Sequence, residues 1–221
     1  EVGVDMKFLD NRLGFDFTYY YNTTKNQAML VDASSPWTQQ WVNAGKINNT
    51  GVEFMLYGTP VKTRDFQFDI TANLAHNSST VKELADGVNR VYFAGDSNMP
   101  VKVGAVKGGK LGDIFANNLM QRDAQGRVII GDDGLPMAAT GDGNLEQYLL
   151  DHPIGNIQPD LLMSITPTFT YKGISLTAMF DMKFGGDIVS VSEGMATSVG
   201  TSERTAYRGE YKTVNGVQDW Y

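Results

Sequence analysis

The stretch EVGVDMKFLDNRLGFDFTYYYNTT, residues 1–24, decides how the chain is read. Every second residue is apolar: Val2, Val4, Met6 and Phe8, with Glu1, Asp5 and Lys7 between them. After Asp10-Asn11-Arg12 the alternation resumes as Leu13, Phe15, Phe17, Tyr19 and Tyr21. A period of two is the signature of a strand with two unlike faces, and a short polar break between two such runs reads as a hairpin. What the apolar face touches is open at this point. It could be a second sheet, or it could be lipid.

Working outward, four more alternating runs appear, at about 51–57, 65–76, 161–171 and 174–184. In the fourth run Phe66, Phe68, Ile70, Ala72 and Leu74 share one face; in the sixth Ile174, Leu176, Ala178, Phe180, Met182 and Phe184 do. Over all six runs one face carries no charge. The other carries Glu1, Asp5, Lys7, Asp16, Glu53, Asp65, Asp69, Asp181 and Lys183. Strand pairs are expected to join near Asp10–Arg12, Gly58–Pro60 and Lys172-Gly173. Long segments, roughly 24–50, 77–160 and beyond 184, separate the pairs. Since consecutive strands run antiparallel, short turns then fall at one end and long loops at the other. Outer-membrane barrels have that layout. Most of the runs approach the 9–11 residues that span a bilayer. Phe8, Phe15, Phe66, Phe68, Phe169 and Tyr171 gather beside the short turns, where an interfacial girdle would sit. A soluble sandwich alternates too, so it stays open as a rival. Pro167 cannot donate to a strand ladder, and a bulge or local break is expected there.

Composition narrows the function. With 18 basic and 25 acidic residues the net charge is −7, which disfavours nucleic acid. There is no cysteine, which removes disulfides, zinc–thiolate sites and thiol catalysis. No run of apolar residues is long enough for a transmembrane helix, which leaves barrels untouched. Residues 1–24 carry no signal-peptide pattern, and Glu1 already lies in a strand pattern, so the chain is expected to start mid-domain. The sequons at Asn22, Asn48 and Asn77 read as chance matches. Gly104 to Lys110 fits G-x-x-x-x-G-K, but Leu111 follows where a phosphate loop needs Ser or Thr. His76 and His152 are the two histidines, and no serine–histidine–aspartate spacing exists, so no catalytic residue and no transition-metal site is expected. Asp132-Asp133 reads as a solvated turn rather than a glycosidase pair. No cofactor is expected; calcium is the one cation that Asp96, Asp123, Asp132, Asp133 and Asp142 could attract. Residues 121–137 read as a small hairpin with turns at 123–126 and 132–134, and 105–120 as the place for one short helical turn. Trp37 and Trp41 in the first long segment are candidates for a substrate or partner contact.

Four stretches, in order, resemble the SusC-like (RagA/SusC) family of TonB-dependent outer-membrane transporters. EVGVDMKFLDNRLGFDFTYYYNTTKNQ is similar to the family's FLxNRL turn between two strands, the second ending in YY and Thr. VNAGKINNTGVEFMLYGTP resembles its NAG-x-x-x-N-x-GVE segment, here Asn43, Ala44, Gly45, Asn49, Gly51, Val52 and Glu53. KLGDIFANNLMQRDAQGRVIIGDDGLP resembles its G-x-I…D-x-x-G…DDGLP segment, here Gly112, Ile114, Asp123, Gly126 and Asp132 to Pro136. GNIQPD with FTYKGISL and FGGDIVS resembles a hairpin near its C-terminal end. The family's GEPYG-like run is GGKLGD here.

The resemblance implies an all-β fold: a segment of an antiparallel transmembrane β-barrel, part of a plugged barrel of about 22 strands, with long extracellular loops. Residues 1–221 would be a C-terminal portion of that barrel, without the plug or the final strands. It implies import of a nutrient, a glycan oligosaccharide or a peptide, across the bacterial outer membrane rather than an enzyme activity. The partners implied are a SusD-like surface lipoprotein, TonB through an N-terminal part outside this stretch, the cargo, and outer-membrane lipid. Asp5, Lys7, Asp16, Asp65, Asp69, Asp181 and Lys183 would face the lumen. A secreted glycan-binding sandwich and a passive porin are the alternatives.

Overall fold

The computed structural model describes all residues except 33–38, 44, 95–99, 133, 208–210, 215–216 and 221. In chain order its strands are β1 (Val2–Phe8), β2 (Leu13–Lys25), β3 (Ala28–Asp32), β4 (Gln39–Asn43), β5 (Lys46–Lys62), β6 (Phe66–Glu83), β7 (Arg90–Ala94), β8 (Val101–Val106), β9 (Asp113–Ala116), β10 (Gly155–Asn156), β11 (Leu161–Tyr171), β12 (Ile174–Thr177), β13 (Phe180–Phe184), β14 (Tyr211–Val214) and β15 (Val217–Trp220). Two short α-helices, α1 (Leu145–Asp151) and α2 (Val191–Ser198), lie in the long connections. The principal sheet is antiparallel, ordered β1-β2-β5-β6-β11, with β12 and β13 both pairing β11. Among the described residues β1 and β12–β13 are its two edges, so this stretch supplies a wall segment and does not close a barrel by itself.

The register explains why the alternation is so clean. Val4, Phe17, Phe54, Leu74, Met163 and Met182 follow one another directly across the sheet. The next row toward the short turns is Met6, Phe15, Leu56, Ala72, Ile165 and Phe180. Slipping a strand by one residue would carry its polar face onto the side of these rows: Asp5 of β1, Asp16 of β2, Glu53 of β5, Asp69 of β6, Ser164 of β11 or Asp181 of β13. The face is not covered: Val4 stays 41% exposed, Phe17 40% and Phe180 58%, and Ile70 is only half-buried. A sandwich needs these side chains pressed against a second sheet about 10 Å away. The sandwich reading therefore fails.

The short turns share one end. Leu9, Asp10 and Asn11 have φ of 53°, 53° and 63°, and Arg12 donates its N–H to Leu9 O at 3.1 Å. Asp and Asn tolerate that left-handed backbone best. Lys172 and Gly173, at φ 46° and 84°, make the two-residue hairpin turn. The middle turn differs from the sequence expectation. β5 continues past Gly58–Pro60, where the register shifts as a bulge, and reverses at 63–65 instead. Thr63 donates its N–H to Phe66 O at 2.7 Å and closes that turn. The bulge gives Pro60 a place without a ladder partner.

Pro167 acts as expected. β12 ends at Thr177 and β13 starts at Phe180, so the ladder lapses opposite Thr166 and Pro167 and resumes in the same register. Ala178 N–H still reaches Pro167 O at 3.2 Å. Proline removes one donor and leaves its acceptor in use.

The long connections gather at the other end and fold. β3 and β4 pair as a hairpin. β7 to β10 form a second sheet, ordered β10-β9-β8-β7. The expected helical turn in 105–120 is absent: the segment is the β8–β9 hairpin, reversing through Gly108 and Gly112, both left-handed. The hairpin at 121–137 forms as isolated bridges, Arg122 with Val128 and Ile130 with Pro136. This cap holds the apolar core. Val81, Val91, Ala105, Ile114, Phe115, Ala139 and Leu150 are buried, and Tyr92 meets Phe115 edge-on at 6.1 Å. The cap is fastened to β6 by backbone bonds, Val81 N–H to Gly109 O at 3.0 Å and Gly108 N–H to Val81 O at 2.8 Å.

β5 and β6 run from wall to cap and change character on the way. Between Thr50 and the bulge at Gly58 on β5, and from Phe66 to Ser78 on β6, the charge-free positions are even-numbered. Above them the even positions are Lys46, Asn48, Thr50, Ser78, Thr80 and Lys82. The buried apolar residues, Ile47 and Val81, stand opposite each other on the other face. The solvent on each side of the strands therefore changes at that height.

Candidate functional site

The charged face of the wall brings together most of the predicted residues. Asp5 lies opposite Asp16, and the row continues through Met55, Asn73, Ser164 and Asp181. Lys7 Nζ sits 3.6 Å from the Asp5 carboxylate. Asp16 accepts a hydrogen bond from Thr18 Oγ1 at 3.3 Å. Asp69 accepts from Thr59 Oγ1 at 2.6 Å and from Gln67 Nε2 at 2.7 Å. Lys183 stands opposite Leu162 on β11. Asp65 is the exception: it lies in the turn before β6, where its carbonyl accepts Lys172 N–H at 2.9 Å. The late reversal of β5 displaces it from the ladder.

Toward the cap, the same face carries a chain of neutral polar side chains that the sequence did not single out. Tyr20 OH donates to Asn77 Oδ1 at 3.1 Å, and Asn77 Nδ2 to Ser79 Oγ at 3.1 Å. Ser79 Oγ donates to Asn49 Oδ1 at 2.6 Å, and Asn49 Nδ2 to Asn22 Oδ1 at 3.0 Å. Tyr20 lies over Gly51, where an added Cβ would come within 2.3 Å of the ring. The signal was present in the sequence as NTT, NNT and NSS at matching heights of three strands. The three sequons are ladder positions.

Immediately above this chain a cleft of about 470 Å³ opens between wall and cap. Its floor is Thr24, Asn49, Ile47 and Val81; Gln27, Trp41, Tyr92 and Phe93 are among its sides. Among the described residues no carboxylate lines it. Trp41 is 72% exposed and pairs with Leu30 across the β3–β4 hairpin. Lys102 Nζ and the Arg90 guanidinium sit 5.0 and 5.6 Å from the Tyr92 ring centre. Arg90 also pairs with Glu146 of α1 and so ties β7, the strand that carries Tyr92, to the helix. Flat rings beside amides suit a neutral, polar molecule with one apolar face. Trp37, the other predicted contact, lies outside the described residues.

The remaining motifs resolve structurally. Gly104 to Lys110 runs from strand to turn to strand, and Lys110 N–H donates to the Asp113 carboxylate at 2.9 Å; a phosphate loop would lead into a helix. Asp123 is engaged in its own turn, accepting the N–H groups of Gln125 and Arg127, each at 2.9 Å. Those donors, Arg127 foremost, hold its carboxyl below the usual carboxylate range. Among the described residues no group of three or more histidines or carboxylates could hold a metal. Asp96 and Asp133 lie outside the described residues. His152 is occupied locally, its Nδ1 2.8 Å from Tyr148 O.

A one-layer antiparallel wall, apolar without interruption on one face, charged on the other and capped at one end, defines a membrane-barrel segment. The family described as "TonB dependent receptor-like, beta-barrel" matches residues 1–122, more than half of the chain, and the chain belongs to that family. Its members are receptors and transporters, not enzymes. Over 93% of its length the chain is 26% identical to the TonB-dependent receptor SusC of Bacteroides thetaiotaomicron. A TonB-dependent receptor of Formosa agariphila is 25% identical over 86% of the chain. Among solved structures, the RagAB peptide transporter shares the fold with a TM-score of 0.56 over 81% of the chain, at 24% identity. The RagAB peptide importer in its "open-open" state gives 0.57 over 83%. The chain spans about a fifth of the length of these relatives: 21% of SusC and 20% of each RagAB chain.

Proposed function

We propose that this chain is a wall segment of a TonB-dependent importer in the bacterial outer membrane. The observation that carries the reading is the uncovered apolar face, continuous over the whole principal sheet, in a chain of this family. The cost of leaving such a face in water disappears when hydrocarbon covers it. The free edges at β1 and β12–β13 then pair with strands from the rest of the receptor. Asp5, Lys7, Asp16, Asp69, Asp181 and Lys183 line the lumen against the plug. The cleft with Trp41 opens at the outer mouth, where a nutrient, an oligosaccharide or a peptide, is held under a SusD-like lipoprotein. TonB supplies the energy through the plug.

The test is uptake by the full-length receptor in its host, with and without TonB. Import requires both. Uptake that persists without TonB returns the passive pore, and recovery of the receptor outside the outer-membrane fraction removes the reading altogether.

A further inference from the structure

GNIQPD, residues 155–160, and FGGD, residues 184–187, flank β11 to β13 in the sequence and interlock in space. Asn156 N–H donates to Asp187 Oδ2 at 2.9 Å, and Asp187 N–H returns to Asn156 O at 2.7 Å. Asp160 N–H donates to Phe184 O at 2.9 Å. The fit is close: a Cβ at Gly155 would come within 2.6 Å of the Asp187 carboxylate. Asn156 is itself held from the cap, since its Nδ2 donates to the Asp113 carboxylate at 2.8 Å and to Leu111 O at 3.3 Å. Leu111 also lines the Trp41 cleft. The Asn156–Asp187 contact forms one side of a cavity of about 520 Å³, with Ser78, Gly109, Lys110 and Asp113 among its other sides.

The chain on either side of Asp187 is held differently. Before it stand Gly185 and Gly186, at φ 71° and 79°, two successive left-handed residues that only glycine adopts without strain. Such a pair absorbs a large backbone rotation, as hinges do. After it Ile188, Met195 and Val199 are exposed. α2 is capped from within the segment, Ser190 Oγ accepting Glu193 N–H at 3.2 Å. A piece with its own helix therefore hangs from a hinge and is fastened beside it by two reciprocal hydrogen bonds. Asp187 is exposed, so water competes for its carboxylate.

We propose that residues 188–199 form a strap that unlatches during import, swinging about Gly185–Gly186 as Asp187 leaves Asn156. Unlatching opens one side of the cavity. It also frees Asn156, and with it the turn at Leu111 that borders the cleft. Strap and cleft thus bias one element, and what favours the unlatched state at one favours it at the other. The inference rests on the import reading above and adds a moving part to it.

The experiment uses the full-length receptor. In hydrogen exchange, Asp187→Ala should raise exchange over 188–199 and leave β11 unchanged. Asp187→Asn keeps an acceptor for the Asn156 N–H and should exchange like the wild type. Equal exchange in Asp187→Ala and the wild type overturns the latch. The motion is tested by fixing it. A Cβ at residue 155 would stand 2.9 Å from the Asp187 Cβ, so a small shift brings Gly155→Cys and Asp187→Cys to disulfide spacing. A short bifunctional thiosulfonate joins the pair where oxidation does not. Growth of the host on mixed oligosaccharides and peptides, which deletion of the receptor slows, should fall to the deletion's level with the bridge closed and recover on reduction. Undiminished growth with the bridge closed overturns the strap. Should deletion itself leave growth unchanged, the import reading fails, and exchange alone decides whether the latch exists.

Discussion

Wall and cap are built from the same kinds of side chain and put them to opposite use. In the cap, Phe115 is 2% exposed, Ile114 2% and Val81 1%. In the wall, Phe17, Phe169 and Phe180 remain between 40% and 58% exposed. The cap has water around it and buries its apolar residues among themselves. The wall has nothing of its own to bury them in. An apolar count alone cannot separate these cases; period and exposure together can. β5 and β6 show both in one strand, since Ile47 and Val81 point into the cap while Val52 and Leu74 belong to the uncovered face.

The comparison breaks most readily by truncation. Phe115→Ala should cost about 3–5 kcal/mol of cap stability, the usual loss for a buried aromatic. Hydrogen exchange over 77–160 in the full-length receptor measures it. Phe17→Ala should cost roughly 1 kcal/mol or less, since lipid fills the space. Equal losses at the two sites would mean that the wall packs against protein. Charge reverses the order. Phe17→Arg, in mid-wall, should cost about 2–4 kcal/mol in a bilayer-unfolding measurement, against little for Thr18→Arg on the adjacent, charged face. A wall indifferent to which face receives the arginine is not in lipid.

Tyr20 and Gly51 test the seam between the regions. A Cβ at residue 51 would meet Tyr20 at 2.3 Å and the His76 carbonyl at 2.7 Å. Gly51→Ala should therefore destabilise the outer end of β2, β5 and β6 by about 1–3 kcal/mol. Adding Tyr20→Ala should recover only part of this, because the carbonyl stays. Complete recovery would show that the ring alone demands the glycine.

What the sequence disclosed follows the same division. β11 was legible to the residue, and the charge-free face of all six runs is the face the register aligns. Lipid enforces strict alternation, and strict alternation is easy to read. The ends were misjudged where the rule lapses. β5 and β6 outrun their alternating cores by several residues because above Thr50 and Ser78 they answer to the cap and not to hydrocarbon. The β8–β9 hairpin looked helical because its buried residues, Ala105, Ile114 and Phe115, come from two short strands around glycines, too few for a period to show. The asparagine–tyrosine chain was hidden for another reason. Its contacts span β2, β5 and β6, and only the register brings NTT, NNT and NSS to one height. Trp41 was legible as an exposed aromatic; its neighbours Tyr92 and Phe93 come from a strand some fifty residues away, which no local pattern records.

The smallest expected effect is a pH dependence confined to the cap. Asp123 stays ionised below the usual carboxylate range because the Arg127 N–H, then its side chain and the Gln125 N–H, favour the charged form. A carboxyl whose folded value is depressed stabilises its turn at every pH above the unfolded value. That contribution fades as pH falls through the folded value. The hairpin at 121–137 should therefore keep its proteolytic resistance from neutral pH down to the ordinary carboxylate range, and lose it only below. Asp123→Asn removes the charge and the pH step together, and leaves the wall untouched. A pH step that survives Asp123→Asn would place the responsible carboxylate elsewhere in the cap.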